Sequence, residues 1–456
     1  MIPSTPEAFR LMMEGSSAFA DVEERGMKID LGYLEKAISW TQAKISVLDE
    51  ELRADEFYTL WRRQYGASAD LGKRQQLADL LYNHMGFEIK KKSKKGNAGT
   101  DVEAFEHIDL PFLDKWTDHE KLKRLLATDL LGVQRETDAD GYLHPFFHQH
   151  LAKTYRSSSS DPNFQNKPNR DKRLAKIIRR AFVPRSPQHY IAEIDYGALE
   201  FRGAASFWRD PKMIAYASDP ALDIHRDMAA ECYKLSTDQV AKDVRSFAKN
   251  KFVFPELYGS YWKNIGKGLW EAIHQASLKT VDGVCLYEHL ESKGIRGLES
   301  FREHIKAVEE KFATRFSHWD KAKDDWWESY LKAGEFALMT GFVCRGAYSY
   351  NFLMNSPIQG SSFHLLLWSL IETNKWMVKN KMKSCVIGQV HDSMMLDIHE
   401  SEIDDVLNKV VSIMTKEVRQ HWDWVLTPLE AEVEVSGENW FTKVPWERIE
   451  GKWQAV

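Results

Sequence analysis

Residues 189–208 read HYIAEIDYGALEFRGAASFW, and this stretch decides the fold. Its first eight residues form an apolar, strand-like run, Tyr196-Gly197 is typical of a tight turn, and the remainder predicts a helix. The sequence therefore predicts a strand, a turn and a helix in succession. Asp195 lies at the carboxyl end of that strand, where an ionised carboxylate is costly unless a partner compensates its charge.

A second acid in apolar surroundings occurs in residues 386–398, VIGQVHDSMMLDI. The two apolar runs predict a β-hairpin that carries His391 and Asp392 at its tip. Each aspartate alone is explained more simply as a turn residue. Two carboxylates that separate strands deliver to one place are, however, what two-metal phosphoryl transfer requires, because its two Mg²⁺ ions lie only about 3.5–4 Å apart.

The composition of the 456-residue chain is that of an ordinary soluble protein, with 43% hydrophobic and 28% charged residues. A formal net charge of −5 argues against a uniformly basic surface, so any site for a polyanion has to be a local patch. The four cysteines include no CxxC pair, which indicates neither a zinc site nor a disulfide framework. No apolar run is long enough to span a membrane, and we expect a cytoplasmic monomer of a bacterial cell or a phage-infected host.

The rest of the chain predicts an α+β fold, with strands in the second half and helices elsewhere. Residues 17–52 have a helical pattern that breaks at GMKID, and residues 70–87 have an apolar helical stripe behind an Asp70 cap. The basic run KKKSKKGNAGT follows. Its simpler interpretation is a solvated loop, and its functional interpretation is a tip that grips nucleic-acid phosphates. Its lysines are Lys90, Lys91, Lys92, Lys94 and Lys95.

The stretch RSFAKNKFVFPELYGS, residues 245–260, offers a link between the two aspartates and a substrate. Arg245 and Lys249 are four residues apart, so a helix would present both cations on one face. Phe254 and Tyr258 repeat that spacing. Such a helix could grip a triphosphate and stack against a base, although solvation or core packing explains each residue alone equally well.

A series of stretches, in order along the chain, resembles the motifs of the family A (Pol I, Klenow-like) DNA polymerases. DYGALEFR is similar to motif A, RSFAKNKFVFPELYG to motif B and QVHDS to motif C. Three further stretches resemble accessory motifs of the family, namely TYRSSSSDPNFQNKP, DIHRDMAAECYKL and NSPIQGSSFHLLL. Two more resemble the start and the tip of the family's thumb, namely VEERGMKIDLGYL and QLADLLYNHMGFEIKKKSKKGNAGTD. The resemblance covers nearly the whole chain.

The resemblance implies a right-hand architecture, with an antiparallel palm sheet and helical fingers and thumb. It assigns residues 1–33 to an N-terminal, palm-associated segment, 34–145 to the thumb, 146–215 to the palm, 216–344 to the fingers with an insertion near 263–320, and 345–456 to the palm again. The implied function is template-directed extension of a primer 3′ end with dNTPs and release of pyrophosphate. The implied partners are primer–template DNA, dNTPs and two Mg²⁺ ions, for which Mn²⁺ can substitute.

The resemblance also implies roles for individual residues. Asp195, Asp392 and the carbonyl of Tyr196 would hold the metal ions, and Lys249 would protonate the leaving pyrophosphate. The nucleotide would contact Arg245, Lys249, Phe254, Tyr258, His225, Tyr196 and Glu200, the last as a steric gate against ribonucleotides. The DNA would contact Arg156, Asn166, Gln359, His391 and the five lysines of the basic run. Arg156, Asn166 and Gln359 would read the minor groove.

Departures from the family pattern concern motifs B and C. Motif B has one residue more than usual between Lys249 and Tyr258, so either Phe254 or Val253 faces the nucleotide, and Phe254 is favoured. Pro255 stands where glycine is common in the family. In motif C, Ser393 stands where the family usually has glutamate, so we expect the site to rely on two carboxylates.

A proofreading site is not expected. D-x-E, the pattern with which such exonuclease sites begin, occurs at 21–23 and at 101–103. Neither match lies in a domain of well over a hundred residues before the thumb, which polymerases with a proofreading site have. The chain is predicted to be a phage-like, stand-alone polymerase module that works with a separately encoded exonuclease or processivity factor.

Three other functions stay open from the sequence. The first is a single-subunit phage-type RNA polymerase, which often carries HDS in motif C; Glu200 and the short chain oppose it. The second is a catalytically weak DNA-binding replisome or repair factor, which the intact charged residues of motifs A to C oppose. The third and weakest is a metal-dependent nuclease.

Overall fold

The strands form one large sheet and three small pairs within the part of the chain that is described. The structure is a computed structural model that describes residues 5–89, 91, 96–105, 107–169 and 171–456. Its strands are β1 Met27–Lys28, β2 Tyr142–Leu143, β3 Phe146–His148, β4 Ser158–Ser160, β5 His189–Tyr196, β6 Glu335–Ala337, β7 Val343–Arg345, β8 Cys385–Val390, β9 Ser393–His399, β10 Ala431–Ser436, β11 Val444–Ile449 and β12 Lys452–Ala455.

The large sheet is antiparallel throughout and has the strand order β12-β11-β10-β5-β9-β8. β5 is therefore central, with β9 on one side and β10 on the other. Asp195 at the end of β5 pairs with Ser393 on β9 and with Glu432 on β10. Because paired residues of neighbouring strands point to the same face of a sheet, this register brings polar side chains together at one end of β5.

Helices make up most of the remaining described chain. They are α1 Thr5–Arg25, α2 Leu31–Ala54, α3 Glu56–Tyr65, α4 Arg74–Asp79, α5 Val102–Phe105, α6 Pro111–Arg124, α7 Leu131–Glu136, α8 Lys172–Arg179, α9 Leu199–Trp208, α10 Pro211–Ser218, α11 Ile224–Tyr233, α12 Lys242–Ala248, α13 Phe254–Leu257, α14 Trp262–Gln275, α15 Leu286–Ser292, α16 Gly297–Arg315, α17 Ser317–Ala333, α18 Tyr350–Lys379, α19 Ile403–Ser412 and α20 Val418–His421. Pi-helical turns interrupt the helical runs at Leu80–His84, Leu125–Leu130, Lys249–Val253 and Ile413–Glu417. In the described part of the chain, no helix is both long and apolar enough to cross a membrane.

The described apolar side chains pack into three clusters. The first packs α1, α2, α18 and α19 against the large sheet. The second holds α9 to α17 together, and the third joins α3, α4 and α6 around the fully buried Trp61 and Trp116. The domain boundaries implied by the resemblance stay predictions.

Several local predictions are confirmed. β5 is followed by a turn and by α9, β8 and β9 form the hairpin around Asp392, and the GMKID break separates α1 from α2. The left-handed residue of the turn after β5 is Ala198, with φ 50°, rather than the glycine before it. An alanine pays roughly 1–2 kcal/mol for that conformation, so the chain holds strain beside Asp195.

Two local predictions are wrong. Asp70 does not cap the helix, because α4 begins only at Arg74 and Asp70 instead accepts a hydrogen bond from the backbone of Gly72 at 2.8 Å in the preceding turn. Strands are also not confined to the second half of the chain, since β1 to β5 all lie before its midpoint. Of these, β1 to β4 are two or three residues long, too short to show the alternation of polar and apolar residues by which a strand is recognised.

Candidate active site

The two predicted metal-binding aspartates meet at the end of β5 and β9. β8 ends at Val390 and β9 begins at Ser393, so His391 and Asp392 alone form the hairpin turn. His391 has a φ of 54°, the left-handed conformation that two-residue hairpin turns favour. The amide of Tyr196 donates a 3.3 Å hydrogen bond to the carbonyl of Asp392, which joins the turn to the end of β5.

Asp195 lies in an electrostatic environment that favours a cation. Its carboxylate reaches solvent but has protein on most sides, and this desolvation, followed by the charges of Asp392, Glu193 and Glu432, raises the pKa of Asp195 to about 7. The charge of Lys249 acts in the opposite direction. A divalent cation would relieve the same repulsion that now favours the proton.

Asp392 has an oxygen without a hydrogen-bond partner among the described residues. This atom is Oδ1, and Arg156 Nη2 lies 3.7 Å from it, which is beyond hydrogen-bond range. Arg156 instead donates a 2.8 Å hydrogen bond to Glu200. A partnerless carboxylate oxygen beside a second carboxylate fits a Mg²⁺ ion, which binds few protein ligands and keeps several waters. No group of three or more metal-ligating side chains occurs in the described chain, so the candidate ligands are this pair.

The helix of motif B accommodates its extra residue through a change of helix type. α12 ends at Ala248, the π-helical turn covers Lys249–Val253, and α13 begins at Phe254. A π turn of this kind adds one residue to a helix without breaking it. Pro255 occupies the first turn of α13, where a proline is tolerated because its missing amide is least needed there.

The π turn decides which side chains share the face of Lys249. Val253 is fully buried in the core, whereas Phe254 is half-buried and its ring lies 5.3 Å from Lys249 Nζ. The ring of Phe254 also stacks on Tyr258 at 6.0 Å and meets the edge of His225 at 5.7 Å. The structure thus gathers Lys249, Phe254, Tyr258 and His225 into one cluster.

The candidate nucleotide-binding cluster contains a neutral histidine and a paired arginine. Burial, and then the charges of Lys249 and Arg245, lower the pKa of His225 to about 3, and neither ring nitrogen has a hydrogen-bond partner among the described residues. Arg245 Nε lies 2.5 Å from Asp223 Oδ2, and Asp223 also caps α11. An incoming polyanion would have to compete with Asp223 for Arg245.

Comparison with known proteins identifies the family. The model of DNA polymerase family A matches residues 46–281 and 346–442 of this chain. The chain belongs to DNA polymerase family A. In this family A chain, the unmatched residues 282–345 overlap only part of the insertion predicted near 263–320.

Two curated relatives of this family A chain are bacterial enzymes. DNA polymerase I of Bacillus subtilis is 26% identical over 427 residues, which cover 92% of this chain and 44% of the relative. DNA polymerase I of Caldicellulosiruptor bescii is 27% identical over 436 residues, which cover 92% of this chain and 45% of the relative. The chain therefore spans less than half the length of these relatives.

A solved structure shows the same fold. The polymerase domain of Pol1 from M. smegmatis, in complex with DNA primer–template and dNTP, superposes with a TM-score of 0.74 at 23% identity and covers 94% of this chain and 70% of that chain. The mixed fold of helices and antiparallel sheet predicted from the sequence is thus confirmed as that of a family A polymerase domain.

The remaining predicted residues occupy different surroundings. Asn166 and His391 are exposed, and Gln359 lies on α18 close to Tyr258. The hydroxyl of Tyr196 contacts Ser369 in the core at 2.9 Å, so only its backbone faces the site. In the basic run, Lys91 pairs with Asp101 at 2.7 Å. Lys90, Lys92, Lys94 and Lys95 lie outside the described residues.

Sequence reasoning missed residues that hold the site together. Arg202, in motif A, donates to the carbonyls of Gly197, Ala217 and Pro428 and pairs with Glu430 at 2.6 Å. Gln389 accepts a hydrogen bond from Gln165 and donates one to the carbonyl of His391, which steadies the hairpin turn. The role of Gln389 could have been suspected from the sequence, because it is a polar residue inside an otherwise apolar strand.

Proposed function

We propose that the chain is a template-directed DNA polymerase that extends a primer 3′ end with dNTPs. The observation that carries this proposal is that Asp195 and Asp392 meet at adjacent strand ends, within the electrostatic reach of Lys249, and that Asp392 Oδ1 has no hydrogen-bond partner among the described residues. The M. smegmatis neighbour binds primer–template DNA and dNTP, and we propose the same ligands here. Residues 34–145 would act as the thumb, 216–344 as the fingers, and 146–215 with 345–456 as the palm.

Two divalent cations, Mg²⁺ or Mn²⁺, would supply Lewis-acid chemistry that activates the primer hydroxyl and stabilises the leaving pyrophosphate. Asp195, Asp392 and the carbonyl of Tyr196 would hold them. These ligands belong to one strand end and one tight turn, so their positions are set before substrate binds.

The cluster on the motif B helix would bind the nucleotide. Lys249 and Arg245 would contact the triphosphate, and Lys249 would donate a proton to the leaving pyrophosphate. Phe254 would cover the sugar and base, because the π turn places it beside Lys249 and leaves Val253 in the core. His225 is neutral and would accept or donate a hydrogen bond without adding charge.

The pair of Arg156 and Glu200 would check the primer terminus and the sugar. Glu200 would crowd a ribose 2′-hydroxyl with its side chain, and Arg156 would donate to the minor-groove acceptors that every correct base pair presents. The two residues form an ion pair with 2.8 Å between Arg156 Nη2 and Glu200 Oε1, so donation by Arg156 to DNA would compete with this contact.

Primer extension tests the proposal. We expect the purified chain with Mg²⁺ and dNTPs to add template-specified nucleotides to a labelled primer. Efficient extension with rNTPs alone would favour the RNA polymerase alternative, and tight binding of primed DNA without extension would favour the binding-factor alternative. The same gel tests for proofreading, since we expect no shortening of a mismatched primer when dNTPs are withheld.

A further inference from the structure

A buried ionic network lies directly behind Asp195. Glu193 precedes Asp195 by two residues on β5, so both side chains point to the same face of the sheet. Glu193 Oε2 accepts hydrogen bonds from Trp440 Nε1 at 2.8 Å and from Lys443 Nζ at 2.5 Å. Only 12% of the Glu193 side chain and 15% of the Lys443 side chain are exposed, so the charges have to compensate each other.

The second oxygen of Glu193 reaches the metal-site hairpin. Ser393 Oγ lies 3.0 Å from Glu193 Oε1 and 2.9 Å from the carbonyl of Val390, and its one proton is shared between these acceptors. Ser393 follows Asp392 in the chain and pairs with Asp195 across the strands. Glu193 therefore contacts a residue that is a neighbour of both Asp195 and Asp392.

The network also reaches the loop that contains Asn166, one of the predicted minor-groove residues. Lys443 bridges Glu193 on β5 to Glu434 on β10. The guanidinium of Arg179 lies 3.9 Å from the ring centroid of Trp440 and donates a 2.8 Å hydrogen bond to the carbonyl of Pro168. The contacts of Glu193 on β5 thus link β9 and β10 to the loop that carries Asn166.

We propose that Glu193 is a positioning residue of the active site, which sets the separation of Asp195 and Asp392 through Ser393. This inference rests on the proposed function and deepens it. It gives a reason for the serine of motif C, because Ser393 Oγ lies 3.0 Å from Glu193 Oε1 and a second carboxylate at position 393 would be a like charge beside that of Glu193. The carboxylate near this position comes from β5 instead of from the hairpin.

The test compares variants of Glu193 with a matched variant on the far side of Lys443. Glu193→Gln keeps the shape of the side chain but removes its charge. We expect this variant to bind Mn²⁺ more weakly and to have a kcat lower by about 10-fold or more, because altering a residue that orients a metal ligand usually has an effect of this size. We expect the KM for dNTP to stay within about twofold, because the nucleotide cluster is untouched. Glu434→Gln removes the other partner of Lys443, and we expect it to lower Tm without changing kcat or Mn²⁺ affinity.

The reciprocal exchange adds a rescue experiment. Glu193→Ser should lose activity, and adding Ser393→Glu in the same chain should restore most of it, because positions 193 and 393, which are in contact, would again hold one carboxylate. If Glu193→Gln lowered only Tm, as Glu434→Gln does, Glu193 would be a structural ion pair and the inference would be overturned. Failure of the exchange to rescue would also count against it. Electron paramagnetic resonance of bound Mn²⁺ distinguishes failure of this inference from failure of the proposed function. A wild-type chain that binds Mn²⁺ but extends no primer would overturn the proposed function instead.

Discussion

The end of the central sheet and the helix of motif B present their functional side chains by different means. At the sheet end, the register of β5 with β9 and a two-residue turn fix Asp195 and Asp392. On the helix, one extra residue relative to the family pattern is absorbed by the π turn at Lys249–Val253. In a strand, such an insertion turns the following side chains to the other face unless a bulge takes it up, as the register shift between Val386 and Gly388 does in β8. In a helix, a π turn confines the change to a few residues.

The largest expected effect is at the sheet end. Asp195→Asn or Asp392→Asn keeps the shape of each side chain but removes a charge, and cation-dependent stabilisation of several kcal/mol would be lost, so extension should fall by about 10³-fold. The measurement is single-turnover extension of a labelled primer. The affinity for primed DNA should stay close to that of the wild type, and comparable activity in either variant would refute the assignment of the metal ligands.

The next effect contrasts Val253, the last residue of the π turn, with Phe254, the first residue of α13. Phe254→Ala should raise the KM for dNTP by about 10-fold, since loss of a stacking ring costs 1–3 kcal/mol. Val253→Ala should leave the KM unchanged and lower the free energy of unfolding by about 1 kcal/mol, because Val253 is a core residue. Steady-state kinetics and urea unfolding of both variants check this, and the reverse pattern would show that Val253 faces the nucleotide.

A smaller effect is expected at Glu200, which borders both regions. Glu200→Ala should raise ribonucleotide incorporation relative to deoxyribonucleotide incorporation by about 10-fold, because a crowding side chain is removed. Glu200→Gln keeps the bulk and should discriminate nearly as well as the wild type. Competition assays with matched rNTP and dNTP measure the ratio, and no change in Glu200→Ala would remove its role as a gate.

The smallest effect is a pH dependence of stability at the sheet end. An acid whose pKa is raised on folding is protonated in the folded chain at pH values where it is ionised in the unfolded chain. Because folding raises the pKa of Asp195, the metal-free chain should lose stability as the pH rises from about 4 through about 7. Asp195→Asn should therefore have a higher Tm than the wild type at pH 8 and nearly the same Tm at about pH 4. Saturating Mg²⁺ should abolish the difference at pH 8, and a difference independent of pH would contradict the raised pKa.

The sequence predicted the parts of the site that depend on local pattern. The strand, turn and helix around Asp195 and the hairpin around Asp392 follow from apolar periodicity and turn residues, and the spacing of Arg245 and Lys249 follows from the helix repeat. The prediction of an Asp70 cap was wrong because a capping residue and a turn residue have the same chemistry, and the chain used Asp70 one turn before α4 begins.

Long-range pairings could not be predicted in this way. Glu193 and Lys443 are 250 residues apart, and only the sheet order brings them together. The pairing of Arg245 with Asp223 and that of Arg156 with Glu200 depend in the same way on how separate segments pack. No local pattern of residues carries this information.

The most direct test of the central claim is the number of Mn²⁺ ions bound to a complex of the chain with primed DNA and a non-hydrolysable dNTP. Electron paramagnetic resonance titration should find two tightly bound ions per wild-type chain and fewer than two in Asp195→Asn and in Asp392→Asn. Two tightly bound ions in either variant would contradict the claim that these aspartates together hold the cations for DNA synthesis.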